Sequence, residues 1–357
     1  MTFGNDNSVT LNNEGNNSGI AIGTNTGTVN YGLTYSEIRD LCLDLIKGEI
    51  SKYVADGLVE AQKRYEELFN LLIAELQKIG FTDLQILNEF KNPGMQIDYY
   101  EAQKGYIRVG TPQLSKLLSA ILVKRIHETS RSMLQLTLSE AIRIAPKLLS
   151  SHMAVLALIV AIGELNVNLS FSRDQFILRL KQLLIPLFQS GVSQQKLEIY
   201  HLDFTGCLQM ELWSEPLINL LKKNYSFFFM KGFLPEDLQK DEKGDLLNDV
   251  YPDLFTKCLN NKELLQVNAL NESDLTSKLG DNQKHFKILH SIFRQNMMSD
   301  DESQRLVESL LPEMKDVFTY WNNSLISSCR LSPVGAVIGA EYLRQITGKS
   351  VDISEWF

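Results

Sequence analysis

Cysteine is scarce in this sequence. Four residues in 357 stand far apart, at Cys42, Cys207, Cys258 and Cys329, with no CxxC pair. That spacing speaks against a disulfide framework or a zinc ribbon and for reduced thiols in a reducing compartment. Long apolar runs are missing too. The longest uncharged one, Met153 to Gly163, is followed at once by Glu164. A bilayer span takes about 20 residues, so this run reads as a buried core helix. The opening MTFGNDNSV has neither a basic nor an apolar leader region, which makes the cytoplasm the expected location. Positive charge is also short. The net charge of −8 argues against a general nucleic-acid binder, because a phosphate-binding surface needs a positive field.

Recognisable catalytic motifs are absent as well. No GxxxxGK[ST] run, no GxGxxG after a strand and no GxSxG elbow occurs, so phosphate-loop, dinucleotide and serine-hydrolase readings have no support. Of the five histidines, His127, His152, His201, His285 and His290, the last two are five apart. A zinc-binding helical pair needs a spacing of four, so no metal is expected, and no cofactor. HLDFTGC places His201, Asp203 and Cys207 within seven residues. Catalytic pairs meet in space rather than by nearness in sequence, and Cys207 beside Gly206 reads as a packed thiol at a close backbone contact. Asp300, Asp301 and Glu302 follow Ser299 and read as a capped first turn, not as a Mg²⁺ cluster. Arg125, His127, Arg131, Arg143 and Lys147 read as a solvated helix surface. The aromatic-dense YSFFFM, from Tyr225 to Met230, reads as core. An enzyme is not the expected reading. A nuclease with an unrecognised site is the remaining enzymatic alternative.

What is present begins at the N-terminus. Residues 1–33 hold no Lys or Arg and only two acids, Asp6 and Glu14. This Asn/Gly/Thr/Ser-rich segment carries apolar residues in pairs: Val9 and Leu11, Ile20 and Ile22, Val29 and Tyr31. Residues two apart share one face of a strand. Gly and Asn between the pairs suit tight corners. The pattern is that of a short β-solenoid or β-prism. Three rungs cannot bury their own apolar face, because repeat units need stacked neighbours. The alternatives are a flexible polar tail or several tails packed together, and the paired series favours the second. A trimer or larger homo-oligomer would hold such tails at high effective concentration.

After Gly32 the pattern becomes helical. Ser36 starts a long amphipathic stretch, kinked near Gly48 and Gly57 and ended by Gly80. Further helices are expected at about 82–91, 95–109, 113–128, 131–146, 151–165, 173–190, 215–231, 246–260, 274–297, 301–328 and 333–347. Lys196–Leu202 and 208–212 are expected as short strands. Pro235–Asp249 and Asn260–Ser273 read as loops. In LSPVGAVIGAEYLRQITG, Ser332 caps, Pro333 opens the helix, and Gly335, Gly339 and Ala340 form a face that another helix can approach closely. The expected fold is mainly α: a multi-helix body behind a β-repeat tail. The expected divisions are residues 1–32, 33–205 and 206–357.

Four blocks carry a family resemblance: VNYGLTYSEIRDL (29–41), FKNPGMQIDYYEAQKGYIRVGTPQLSKLLSAILVKRI (90–126), LTLSEAIRIAPKLLSSHMAVLAL (136–158) and SPVGAVIGAEYLRQITG (332–348). Together they resemble a family of uncharacterised bacterial helical proteins with an N-terminal Asn/Gly repeat of variable length. The resemblance implies no catalytic residues. Similar tails precede diverse domains in bacterial antiphage systems, which implies a defence role by analogy. The sequence thus leads to a cytoplasmic homo-oligomeric interaction protein assembled through Val9, Leu11, Ile20, Ile22, Val29 and Tyr31. Its expected partners are itself and a phage or host protein as trigger. A membrane-perturbing effector, exposing the apolar helices near 151–163 and 331–347, is the main alternative.

Overall fold

The computed structural model describes residue 40 and residues 55–82, 88–128, 130–163, 172–237, 252–279 and 286–351. The architecture is mainly helical, with a few very short strands. The six paired residues of the expected β-tail lie outside the described residues.

Five helices build the N-terminal part: α1 (Ala55–Lys78), α2 (Pro93–Val109), α3 (Pro112–His127), α4 (Met133–Ile144) and α5 (Ser150–Gly163). Their ends follow local chemistry. Asn92 caps α2, its side chain accepting from the Gly94 N–H at 2.8 Å, and Pro93 occupies the first turn. Gly110, at φ 71°, stops the same helix in the left-handed conformation that glycine adopts without strain. Ser132 caps α4 through the Gln135 N–H. α5 is apolar nearly all round, as a helix enclosed by others must be.

The chain continues through α6 (Arg173–Gln189), α7 (Lys196–Phe204), β1 (Leu208–Met210), α8 (Leu217–Tyr225), β2 (Phe255–Lys257), β3 (Leu265–Val267), α9 (Glu272–Leu279), α10 (Phe286–Gln295), α11 (Asp300–Leu310), α12 (Met314–Asn323), β4 (Cys329–Leu331) and α13 (Pro333–Thr347). β1 pairs antiparallel with β4, Gln209 opposite Arg330, and β2 pairs antiparallel with β3. α13 lies along α5 and also meets α3, α4 and α6. Its small face makes this possible. A Cβ on Gly339 would stand 2.7 Å from the Leu156 carbonyl, and one on Gly335 would stand 2.0 Å from the Cys207 carbonyl oxygen.

The main core runs from Tyr65 to Leu343 and takes side chains from both sides of residue 205. A smaller core gathers Met230, Phe233, Val267, Leu289 and Phe293 around the β2–β3 pair. Polar side chains join the two. Gln266 is fully buried, donating to the Phe227 carbonyl and accepting from the Leu259 N–H. Asn260 donates to the carbonyls of Phe228 and Met230.

Several expected elements differ. Lys196–Leu202 is helix, not strand. Ile199 and Leu202, three apart, are the buried pair, and this outweighs the Leu197/Ile199 alternation. In the expected helix over 246–260, the described part is a single turn at Pro252–Leu254 followed by β2. The expected 301–328 helix breaks at Leu311–Pro312 into α11 and α12, since Pro312 lacks the N–H that would continue it. Residues 208–210 are a strand as expected.

Candidate interaction surface

α7 is short, nine residues, and two of its sides do different things. Ile199 and Leu202 enter the core. Leu197, Tyr200 and Phe204 recur at three and four residues, so they share one side of the helix. That side faces solvent, with 74%, 50% and 87% of each residue exposed. The loop after β1 adds Leu212, fully exposed, and Trp213, 65% exposed. This loop is pinned rather than loose. The Glu211 and Glu215 N–H groups donate to the Ser328 and Ser327 carbonyls at 2.7 Å, and the Trp321 indole donates to the Glu215 carbonyl. The Leu325–Ser328 turn that accepts these bonds also packs against α7, which keeps loop and helix together. Leu149, 57% exposed, follows Lys147, whose carbonyl lies 3.0 Å from His201 Nε2 in the last turn of α7. Scattered exposed apolar residues are normal, but three large ones on one side of a short helix, with two more on a loop tied to the turn that packs on that helix, mark a candidate contact surface.

A polar layer seats α7 on α5. The Ser151 hydroxyl donates to Glu198 Oε2 at 2.9 Å. Hydrogen bonds from Ser193 and Ser151 hold the Glu198 carboxyl below its ordinary range. His152 is buried and accepts from the Leu149 N–H at Nδ1, which puts its proton on Nε2. Nε2 lies 3.5 Å from Glu198 Oε2 and makes no hydrogen bond. Burial pushes the His152 pKa down, against the pull of Glu198. The His201 ring lies 5.2 Å from that of His152. Among the described residues, no group of three His, Cys, Asp or Glu side chains is placed to hold a metal ion.

The other residues singled out in the sequence have structural surroundings. Cys207 is buried, its thiol pushed up to about 11 by burial, beside the Thr205 hydroxyl. A thiol held protonated in this way is a poor nucleophile. Ser299 and Glu302 form a capping box at the start of α11. Lys231 at 2.8 Å and the Ser299 bonds draw the Glu302 carboxyl down to about 2. Asp300 is paired with Lys222. Arg125 does not belong to a surface basic group. It is buried, its Nε donating to Asp98 Oδ2 at 2.7 Å, with the Ser139 hydroxyl on the same oxygen. The aromatics Phe227, Phe228 and Phe229 are core, as expected. A cleft of 270 Å³ between α1, α3 and α13 holds buried Glu341, bridged to Lys124 at 2.6 Å and Arg344 at 2.9 Å.

The outward side of α7 went unread in the sequence. The signal was the Leu197, Tyr200, Phe204 spacing followed by the adjacent Leu212 and Trp213. A family model for an uncharacterised protein family matches residues 32–357, and the chain belongs to that family. No curated protein and no solved structure matches the chain.

Proposed function

We propose that this family member is an interaction protein that works as a homo-oligomer. The observation that carries the reading is the solvent-facing apolar group on α7 and the following loop, on a body where Cys207 is buried, Glu302 belongs to a capping box and Arg125 is paired with Asp98. A surface of that kind is costly to keep in water without a partner. The N-terminal Asn/Gly segment supplies the assembly tag, through Val9, Leu11, Ile20, Ile22, Val29 and Tyr31. The match of the family model from residue 32 onward supports treating the preceding segment as a separate functional piece. The setting we propose is the bacterial cytoplasm, in antiviral defence, with a phage or host protein as trigger. That setting rests on the analogy of the tail alone.

The test is the solution mass of the full-length chain by light scattering after size exclusion. Ile20→Asp with Ile22→Asp should lower the mass of a trimer or larger assembly while leaving the far-ultraviolet circular dichroism unchanged. An unchanged mass would remove the tail from the assembly. The membrane-acting alternative has less support. No helix among the described residues is long and apolar enough to cross a membrane, and α5 and α13 are buried on each other. Leakage from lipid vesicles on adding the purified protein would revive it.

A further inference from the structure

We propose that the outward side of α7 docks on the same side of α7 in a second copy of the chain, antiparallel, across a two-fold axis near Tyr200. The proposal rests on the homo-oligomeric reading and adds to it a second interface, independent of the N-terminal segment.

Three observations select a second copy. The first is the pattern. Leu197, Tyr200 and Phe204 form a seam at spacings of three and four, the geometry by which two helices interlock side chains. In an antiparallel pair centred on Tyr200, the large Phe204 of one copy lies against the smaller Leu197 of the other, and Tyr200 meets Tyr200. Such a face is its own complement, which is what a two-fold interface requires.

The second is charge. Lys196 and Asp203 stand seven residues apart, so they lie on the same flank of the seam, at its opposite ends. Both are exposed, and among the described residues neither is in an ion pair. Like flanks face each other in an antiparallel pair. Lys196 of each copy then meets Asp203 of the other, giving two reciprocal ion pairs. A parallel pair would leave all four charges unmatched.

The third is area. At their observed exposures, Leu197, Tyr200 and Phe204 present roughly 400 Å² of apolar surface at about 200 Å² for a large side chain, and Leu212 and Trp213 on the loop held to the Leu325–Ser328 turn add roughly 300 Å² more. A stable interface of standard size buries about 800 Å² on each partner.

The experiment uses the full-length chain. Tyr200→Cys, oxidised in solution, should give a covalent dimer on a non-reducing gel, because only a two-fold face brings position 200 against itself. Ile97→Cys, an exposed position on α2, should give none, and neither should the unaltered chain. Phe204→Glu should halve the mass seen by light scattering with circular dichroism unchanged. Lys196→Asp should weaken the association about tenfold in concentration, and adding Asp203→Lys should restore it. The absence of a Tyr200→Cys dimer, together with an unchanged mass for Phe204→Glu, would overturn the proposal. A loss with Lys196→Asp that Asp203→Lys does not restore would overturn the antiparallel arrangement. The Tyr200→Cys cross-link should survive Ile20→Asp with Ile22→Asp. A cross-link that forms while the tail variant leaves the mass unchanged would retain this interface and discard the tail. The reverse pair of results would keep the tail and discard this interface.

Discussion

At the scale of single residues, buried polar groups decide more than exposed ones. Arg125 and Asp98 are almost wholly enclosed and share one short bond, with Ser139 completing the carboxylate. Removing one partner of a buried pair leaves the other charge without compensation. Asp98→Ala should therefore cost about 3–5 kcal/mol, read as a shift in the urea midpoint. His152 makes a pH-dependent prediction. Its folded pKa lies below its ordinary value because burial penalises the cation. Between that folded value and about 6.5 the unfolded chain binds the extra proton, so stability falls as pH is lowered through this window. Denaturant midpoints at several pH values between 7.5 and 5.5 should show the fall, and His152→Gln should remove that component of the slope. The Glu198 carboxyl, shifted downward, acts in a separate and more acidic window, where stability is lost as pH drops below its unfolded value.

At the scale of elements, the close approach of α13 to α5 is set by a missing side chain. A Cβ on Gly339 would collide with the Leu156 backbone, which cannot rotate away as a side chain could. Gly339→Ala should cost about 1–3 kcal/mol by overpacking. Gly163→Ala, where a Cβ meets nothing within 4 Å, should be close to neutral in the same thermal unfolding experiment. Elements like α13 were legible because cap, proline, small face and terminal glycine all agree. The same holds for Ser299 and Glu302 on α11. α7 was not legible as a helix. Over so few residues Leu197 and Ile199 mimic a strand, and only tertiary packing shows that Ile199 and Leu202 go inward. Its exposed apolar side was hidden for the same reason: an apolar residue looks identical in sequence whether it fills a core or meets water. Arg125 erred in the opposite direction, an apparent surface cation that Asp98, 27 positions away, draws inside.

At the scale of the whole molecule, the two cores are joined by side-chain amides rather than by apolar contact alone. Gln266 and Asn260 bond to main-chain groups at Phe227, Phe228 and Met230. The main core, by contrast, is closed by parts far apart in sequence, since α13 covers an α5 that precedes it by some 180 residues. A fragment ending before Ser332 should keep helical circular dichroism yet bind a hydrophobic dye strongly, because the α13 side of α5 stands uncovered. This order has a consequence for how the protein is made. On the ribosome, α5 emerges early and then waits, uncovered, while almost all the remaining chain is translated. The α13 side of this apolar helix thus stays open until the end of synthesis. Folding cannot finish until synthesis has passed Thr347, so the nascent chain is a natural client for holding chaperones. Ribosome stalling in the last third of the message should release fragments that aggregate rather than fold.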